Sequence, residues 1–213
     1  MKSKGLFISF EGAEAVGKST QIKRLKKRLV AEGFNVCLTR EPGGTDLAEN
    51  LRRILKSKDM SPLTELFLVE AGRSDHVEKV IMPRLKRGEI VLCDRFVSSS
   101  LVYQGIVGWV NLKKVAEMNE LASAGVTPDL CFWFDLDSSE LFRRLKQRAG
   151  NKDRFDSRSK SFHQKTLEAY RKLARQSNKP KLIRLDAEQS EDLIHQEIYS
   201  KVMAKLGKKK SGR

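Results

Sequence analysis

The 213-residue sequence contains only three cysteines, Cys37, Cys93 and Cys131. An odd number of widely separated cysteines predicts neither a disulfide framework nor a metal cluster, and each one lies in an apolar run that is typical of a buried thiol. The three histidines are equally scattered and show no metal-ligand spacing. These shortages exclude small disulfide scaffolds and zinc modules.

Long hydrophobic runs are also missing. No apolar stretch approaches the ~18 residues of a membrane-spanning helix, and the apolar run at residues 6–10 is too short for a signal peptide. Hydrophobic residues make up 39% of the chain and charged residues 32%, which indicates a globular protein. We therefore expect a cytoplasmic protein without a membrane partner, built as one domain over residues 1–207.

Acidic residues are fewer than basic ones, at 27 against 42, which gives a formal net charge of +15. Much of the excess lies in residues 141–165 and 204–213, and we expect residues 208–213 to form a disordered basic tail. A positive field of this kind suits nucleic acid, lipid or a small polyanion. Aromatic residues are only 7% of the chain, too few for a basic stripe with interleaved stacking rings, so we do not expect a nucleic-acid partner.

Short apolar runs alternate along the chain with segments of helical periodicity. This alternation predicts an α/β fold with a five-stranded parallel sheet flanked by helices. The predicted strands are 5–11, 34–39, 89–94, 130–135 and 181–186. The predicted helices are 18–32, 46–55, 63–85, 112–124, 138–147, 159–177 and 191–206.

Residues 12–19, GAEAVGKS, match the phosphate-binding pattern G-x-x-x-x-G-K-[ST] at every fixed position. The glycines let backbone N–H groups turn inward around phosphate oxygens, and the helix that follows presents its positive end to the anion. Lys18 is expected to reach the transferred phosphate and Ser19 to bind Mg²⁺. The pattern predicts a P-loop NTPase fold that binds ATP and Mg²⁺ through Gly12, Ala13, Glu14, Ala15, Val16, Gly17, Lys18, Ser19 and Thr20.

The apolar run at 91–93 ends in Asp94, which is the form of a Walker B strand and makes Asp94 a second predicted Mg²⁺ ligand. The carboxyl ends of parallel strands meet at one edge of the sheet, where ligands bind. Asp94 is therefore expected beside the P-loop.

Three segments resemble the thymidylate kinase family, a group of P-loop nucleoside-monophosphate kinases. Residues 39–45, TREPGGT, and residues 94–105, with Asp94-Arg-Phe-x-x-Ser99 followed by Tyr-Gln-Gly, are similar to signatures of its bacterial members. Residues 153–156, DRFD, resemble its lid. The resemblance runs from about residue 7 to 187 and implies transfer of the ATP γ-phosphoryl to dTMP, a sheet of order 2-3-1-4-5 and a homodimer.

The resemblance also assigns the acceptor site. Residues matching Arg52 and Arg95 hold the acceptor phosphate, and Arg95 is expected to act in catalysis. The residue matching Gln104 reads the base, and the one matching Tyr103 crowds the sugar. The full predicted substrate set is Glu14, Arg52, Val69, Arg73, Arg95, Ser99, Tyr103 and Gln104. Ala187, after the last strand, is expected to contact adenine, and Glu41 either to help hold Mg²⁺ or to pair with Arg95.

Ala15 stands where some relatives carry an arginine in the P-loop, so the missing cation is expected from a mobile lid at about 148–157. Arg148 and Arg154 are the predicted catalytic residues there, since an arginine of this kind is worth ~10³-fold or more in rate.

Val69 stands where the family usually has an aromatic ring that stacks on thymine, while Phe67 is expected in the core. The valine leaves open another nucleotide or deoxynucleoside kinase. A P-loop ATP-binding module with a nucleic-acid partner is the remaining alternative.

Overall fold

A computed structural model describes residues 5–147, 158–176 and 181–211, with side chains described up to residue 207 in the last range. Five parallel strands form one sheet in the order β2-β3-β1-β4-β5, which confirms the order that the resemblance implies. The strands are β1 (Leu6–Glu11), β2 (Val36–Arg40), β3 (Ile90–Asp94), β4 (Leu130–Asp135) and β5 (Leu182–Asp186).

Helices cover both faces of this sheet and connect its strands, so the predicted α/β class is confirmed. They are α1 (Lys18–Ala31), α2 (Asp46–Ser57), α3 (Pro62–His76), α4 (Met82–Lys86), α5 (Val97–Ser100), α6 (Leu112–Ala122), α7 (Ser138–Gln147), α8 (Lys160–Arg175) and α9 (Glu191–Ser211). Two π-helical turns, Val77–Ile81 and Leu101–Val107, follow α3 and α5. No helix in these ranges is both long and apolar enough to cross a bilayer.

β1 lies at the centre of the sheet and is buried along its whole length. Because successive side chains of a strand point to opposite faces, β1 supplies two cores. Leu6, Ile8 and Phe10 pack in the larger cluster with α1 and α9, and Phe7 packs in a second cluster on the other face. This double burial explains why most of β1 is apolar and why its polar residues, Ser9 and Glu11, are buried as well.

The segment 63–85, predicted as one helix, is instead interrupted. The π-helical turn Val77–Ile81 separates α3 from α4, and Pro83 lies in the first turn of α4. Proline lacks an N–H and its ring collides with the carbonyl four residues earlier, so the helix must widen or kink before it. A π-helical turn inserts one extra residue into a helix, and the hydrophobic periodicity of the sequence does not reveal such an insertion.

The chain between β3 and α6 contains α5 and the second π-helical turn, neither of which was predicted. This turn carries Tyr103 and Gln104, two of the predicted substrate residues. At the other end of the chain, α9 continues to Ser211, whereas its predicted end was residue 206. The backbone of residues 208–211, predicted as the start of a disordered tail, is therefore helical.

Candidate active site

A cavity of about 580 Å³ opens at the carboxyl edge of the sheet, where β1, β2 and β3 end. Register places the last residues of these strands side by side, with Asp94 opposite both Phe10 and Arg40. The predicted residues that line this cavity are Glu14, Ala15, Val16, Gly17, Lys18, Ser19, Thr20, Arg52, Val69, Arg73, Asp94, Arg95, Ser99, Tyr103 and Gln104. Parallel topology therefore brings together residues that are up to 90 positions apart in sequence.

The P-loop backbone turns sharply, with φ of 139° at Gly12, 57° at Ala15 and 94° at Gly17. At Gly12 a side chain is also excluded by space, because a Cβ there would lie 2.9 Å from the carbonyl oxygen of Phe134. Gly17 is the N-cap of α1 and brings no side-chain acceptor to the first N–H groups of that helix. These donors, together with the helix dipole, form a site for an anion at the cavity wall.

Lys18 is buried beneath the P-loop and is held by the backbone of that loop. Its Nζ donates hydrogen bonds to the carbonyl oxygens of Gly12 at 3.1 Å and Ala13 at 2.6 Å. Burial, reinforced by the positive charge of Arg95, lowers the pKa of Lys18 to about 8. The ammonium therefore stays mostly protonated at neutral pH while being only weakly solvated, which suits a cation that must bind phosphate.

Two oxygens that could hold a metal lie at the base of the loop. The hydroxyl of Ser19 donates to Oδ2 of Asp94 at 2.9 Å. Within the described ranges, the buried Oδ1 of Asp94 has no hydrogen-bond partner. Hydroxyl and carboxylate oxygens are hard ligands, and Mg²⁺ is usually bound by one or two carboxylates plus substrate phosphates and water. The pair therefore fits Mg²⁺, and in this part of the chain no larger group of His, Cys, Asp and Glu competes for it.

Arg95 links the P-loop to the acceptor side of the cavity. It has a left-handed φ of 72°, a conformation that costs a non-glycine residue about 1 kcal/mol or more and is concentrated at functional sites. Its guanidinium donates to the carbonyl of Gly12 at 2.9 Å and to Oε1 of Glu14 at 2.6 Å. The guanidinium carbon also lies 5.1 Å from the ring centroid of Tyr103. Arg95 is thus held between the P-loop and Tyr103.

Glu11, which the sequence reasoning did not single out, is a fully buried carboxylate behind Arg95. It accepts hydrogen bonds from the backbone N–H of Phe96 at 2.8 Å and from the hydroxyl of Ser99 at 2.7 Å. Burial raises the pKa of Glu11 to about 7. The signal available in the sequence was an acidic residue at the end of a mostly apolar strand, directly before the P-loop.

Arg73 is buried at the opposite end of the cavity in a polar network. Its Nε donates to Oε2 of Glu41 at 2.8 Å, and its Nη1 donates to Oε1 of Glu70 at 2.6 Å. The other oxygen of Glu41 lies 3.0 Å from Nδ1 of His76. Glu41 thus pairs with Arg73 and His76 and not with Arg95, so the predicted pairing with Arg95 was wrong, while the alternative role in holding Mg²⁺ stays a prediction. Burial raises the pKa of Glu70, and the charge of Arg73 opposes this shift.

Arg52 lies on α2 and faces the middle of the cavity. It is partly buried, and its Nη1 donates to the carbonyl of Pro42 at 2.8 Å. The neighbouring Arg40 is exposed and pairs through Nη2 with both carboxylate oxygens of Glu49, at 2.9 Å each. Arg52, Arg95 and Arg40 therefore line one cavity.

A second cavity of about 260 Å³ lies on the other side of the P-loop, between α1 and the segment after β5. Ala187, the predicted adenine contact, lines it together with Gln21 and Arg144. Arg144 donates to the carbonyl of Ala187 at 2.9 Å and to Oε1 of Glu140 at 2.6 Å, and it reaches the larger cavity as well. In the sequence analysis Arg144 was part of the basic segment 141–165, and no individual role was predicted for it.

Three further outcomes concern predicted residues. Arg148 and Arg154, with the whole expected lid at 148–157, lie outside the described residues. Phe67 is 56% exposed, so its predicted place in the core was wrong. Val69 does line the cavity, two positions along α3 from Phe67, because a helix turns about 200° over two residues.

Comparison with known proteins points to one family. Residues 10–198 match the family model described as thymidylate kinase. Curated relatives named thymidylate kinase include one from Exiguobacterium, 40% identical over 95% of this chain and 96% of its own length, and one from Halothermothrix orenii, 41% identical over 93% and 97%. A solved thymidylate kinase from Ehrlichia chaffeensis superposes with a TM-score of 0.73 at 30% identity, covering 93% of this chain and 98% of that one.

Proposed function

Because the chain belongs to the thymidylate kinase family, we propose that it transfers the γ-phosphoryl group of ATP to dTMP and releases dTDP and ADP. The observation that carries this proposal is that one cavity is lined by the P-loop, by Arg52 and Arg95, and by a polar group that includes Arg73 and Gln104. Phosphoryl transfer asks a protein mainly to position two anions head-on and to supply cations around them. The described side chains meet both needs.

The ATP half of the reaction belongs to the P-loop. In the proposed complex, the N–H groups of residues 13–20 hold the β- and γ-phosphates, and the Lys18 ammonium exchanges its carbonyl partners for phosphate oxygens. Ser19 and Asp94 hold Mg²⁺, which when bound neutralises charge on the phosphates. Adenine occupies the second cavity beside Ala187, where Arg144 closes one side.

The acceptor, dTMP, binds to the part of the cavity that faces the P-loop. Arg52 and Arg95 bind the dTMP phosphate, and the Arg95–Glu14 pair places a carboxylate near the sugar. In this arrangement Glu14 accepts from the sugar 3′-hydroxyl, while the ring of Tyr103 leaves no room for a 2′-hydroxyl. Ser99, held by Glu11, supports Arg95 at 3.3 Å. The dTMP phosphate then faces the γ-phosphate in line.

Charge that develops during transfer needs a further cation, because position 15 is alanine. Arg148 and Arg154 are the proposed catalytic arginines, and they follow α7 at the end that carries Arg144. Truncating each to alanine in turn is expected to lower the turnover number with the melting temperature unchanged. Full turnover in both variants would discard the role for this segment.

A homodimer is the proposed assembly. α2 and α3 pack against each other and expose Leu47, Ile54, Leu63 and Phe67. The spacings of seven and four residues place each pair on one face of its helix. Such an apolar surface is typical of an interface between copies. The cytoplasmic location expected from the sequence stays a prediction.

A panel of acceptors tests the proposed reaction. Purified protein is mixed with ATP, Mg²⁺ and one nucleoside monophosphate at a time, and the diphosphate product is measured by chromatography. We expect rapid conversion of dTMP and at most slow conversion of ribonucleotides, since Tyr103 crowds the 2′-position. Absence of dTDP with active ATP binding would refute the proposal, and selective use of another monophosphate would point to a different kinase of the same fold.

A further inference from the structure

At the end of the cavity where the nucleobase would bind, called the base end below, two side chains form a buried pair. The proposed mechanism does not use this pair. Nε2 of Gln104 donates to Oε1 of Glu65 at 2.6 Å, and both residues are less than a tenth exposed. Glu65 lies in the first turn of α3, and Gln104 lies on the second π-helical turn, 39 positions later. Both residues line the cavity.

The chemistry of this pair fixes which way the carboxamide points. An ionised carboxylate only accepts hydrogen bonds, whereas a carboxamide has a donating and an accepting end. Gln104 must therefore turn its NH₂ group towards Glu65, which leaves Oε1 as its free group. The side-chain hydrogen bond between Gln104 and Glu65 is made through Nε2, so Oε1 is the end of the carboxamide that Glu65 does not engage. The backbone is held as well, because the carbonyl of Gln104 accepts from the N–H of Val110 at 3.0 Å.

Arg73 provides a hydrogen-bond donor at the same end of the cavity as the Gln104 acceptor. A guanidinium has five N–H donors. Four of them are used: Nε bonds Glu41, Nη1 bonds Glu70 and Asn119, and Nη2 bonds Ser100 at 3.0 Å. One N–H of Nη2 remains, and Arg73 lines the cavity. The base end thus offers one acceptor, Oε1 of Gln104, and one donor, Nη2 of Arg73.

We propose that Glu65 is a positioning residue that sets base selectivity by locking the carboxamide of Gln104 with its oxygen towards the base. A 4-oxo pyrimidine has a donor at N3–H and an acceptor at O4, which complement Gln104 and Arg73. A 4-amino pyrimidine has an acceptor at N3 and a donor at N4, so both contacts would be repulsive. The inference rests on the proposed function, since it concerns the base of the same acceptor.

The interaction with Glu65 matters because the oxygen and the NH₂ group of a carboxamide can exchange places with little change in shape. Without an acceptor-only neighbour, Gln104 could rotate its NH₂ group towards N3 of cytosine and accept that base. Sites built to hydrogen-bond a polar substrate edge reject the wrong edge strongly, because buried groups are left unpaired. Removal of the lock should therefore change the ratio of substrates more than it changes the overall rate.

The Glu65→Gln variant tests this directly, because glutamine has the same size and either accepts or donates. We measure kcat/KM for dTMP, dUMP and dCMP with wild type, with this variant and with Glu78→Gln, an exposed acid just beyond α3 as the matched control. The dTMP-to-dCMP ratio should fall about tenfold or more in Glu65→Gln, the gain or loss typical of one polar contact to a base. The dUMP rates should follow those of dTMP, and Glu78→Gln should keep the wild-type ratio.

A double-mutant comparison separates positioning from a merely structural role. In a Gln104→Leu background, Glu65→Gln should leave the ratio unchanged, because the carboxamide that it orients is gone. Equal losses for all three substrates, or an unchanged ratio in the single variant, would overturn the proposal.

If Glu65→Gln does not fold, the substrate preference of the wild-type protein provides a second test of the proposal. The lock predicts that wild type prefers dTMP over dCMP by about 100-fold or more. Equal use of the two would also overturn the lock while leaving the kinase activity intact. A wild-type protein that uses no dTMP would instead refute the proposed function itself, so the two failures are distinguishable.

Discussion

At the scale of single residues, burial shifts the ionisation of two side chains in and beside the cavity. Lys18 has its pKa lowered to about 8 and Glu11 has its pKa raised to about 7, and both shifts come first from loss of solvent around the charged form. Neither residue is at the surface, where the same change would be screened. The roles of Lys18 and Glu11 can therefore be tested by substitution and by measuring the effect of pH.

Replacing Lys18 with alanine should lower the turnover number by about 10³-fold, a typical effect of losing one charge that contacts the transferred phosphate. Its ammonium is the buried cation bound to the P-loop carbonyls. Initial rates with saturating ATP and dTMP measure the effect, with Lys23→Ala, an exposed lysine on α1, as control. Wild-type turnover in the Lys18 variant would contradict the phosphate role.

Glu11 should make stability depend on pH. Its folded pKa of about 7 lies above its ordinary value of 4.5, so the folded state binds the proton more tightly. The resulting stability is fully present below pH 4.5 and is lost as the pH rises through 7. Because each pKa unit is 1.36 kcal/mol, the loss is roughly 3 kcal/mol.

Denaturant titrations between pH 5 and 8 measure this effect. The free energy of unfolding of wild type should fall more steeply with pH than that of Glu11→Gln, which cannot ionise. The exposed Glu117→Gln serves as control and should follow wild type. Parallel curves for wild type and Glu11→Gln would show that the Glu11 pKa is not raised.

At the scale of elements, α3 contributes Val69 and Arg73 to the wall of the cavity. Val69 lines the cavity with an apolar side chain that has no aromatic face, while Phe67 points outward. An aromatic ring stacked on a base adds about 0.5–1.5 kcal/mol beyond its buried area. In the proposed complex, binding of the base therefore depends more on hydrogen bonds from Gln104 and Arg73 than on stacking.

Introducing a ring by Val69→Phe should lower the dissociation constant for dTMP roughly threefold to tenfold, from the stacking energy alone. Calorimetric titration of dTMP measures it, and Phe67→Val, on the outward face of the same helix, provides the control. Weaker binding by Val69→Phe would mean that this position does not face the base.

The sequence was informative where local patterns determine structure. β4 and α7 begin and end where the apolar run and the helical period place them, and the P-loop pattern correctly predicts a turned backbone before α1. The two π-helical turns escaped prediction because one inserted residue does not alter the apolar pattern. The network around Arg73 escaped because Glu41 is 32 positions away from it in sequence and Asn119 is 46. Such contacts follow from topology rather than from local pattern.

The whole molecule carries a net charge of +15, while both proposed substrates are multiply negative. A positive field of this size raises the local concentration of anions and speeds their encounter with the cavity. Assembly is the second property at this scale. The exposed apolar residues of α2 and α3 support the proposed dimer.

Phe67→Glu should disrupt that dimer, because a charge in an apolar interface is costly to bury. Light scattering after gel filtration should give twice the chain mass for wild type and the chain mass for the variant. Leu193→Glu, at an exposed position on α9, should remain dimeric. A monomeric wild type, or a dimeric Phe67→Glu, would rule out this interface.

The central claim is that one cavity holds the γ-phosphate of ATP and the phosphate of dTMP close enough for direct transfer. The most direct measurement follows label from the γ-phosphoryl of ATP in a single turnover with dTMP. The account predicts that the label appears in the β-phosphate of dTDP, in equal amount to the ADP formed, and that neither product forms without dTMP. Label released as free phosphate, or ADP formed equally well without dTMP, would contradict it.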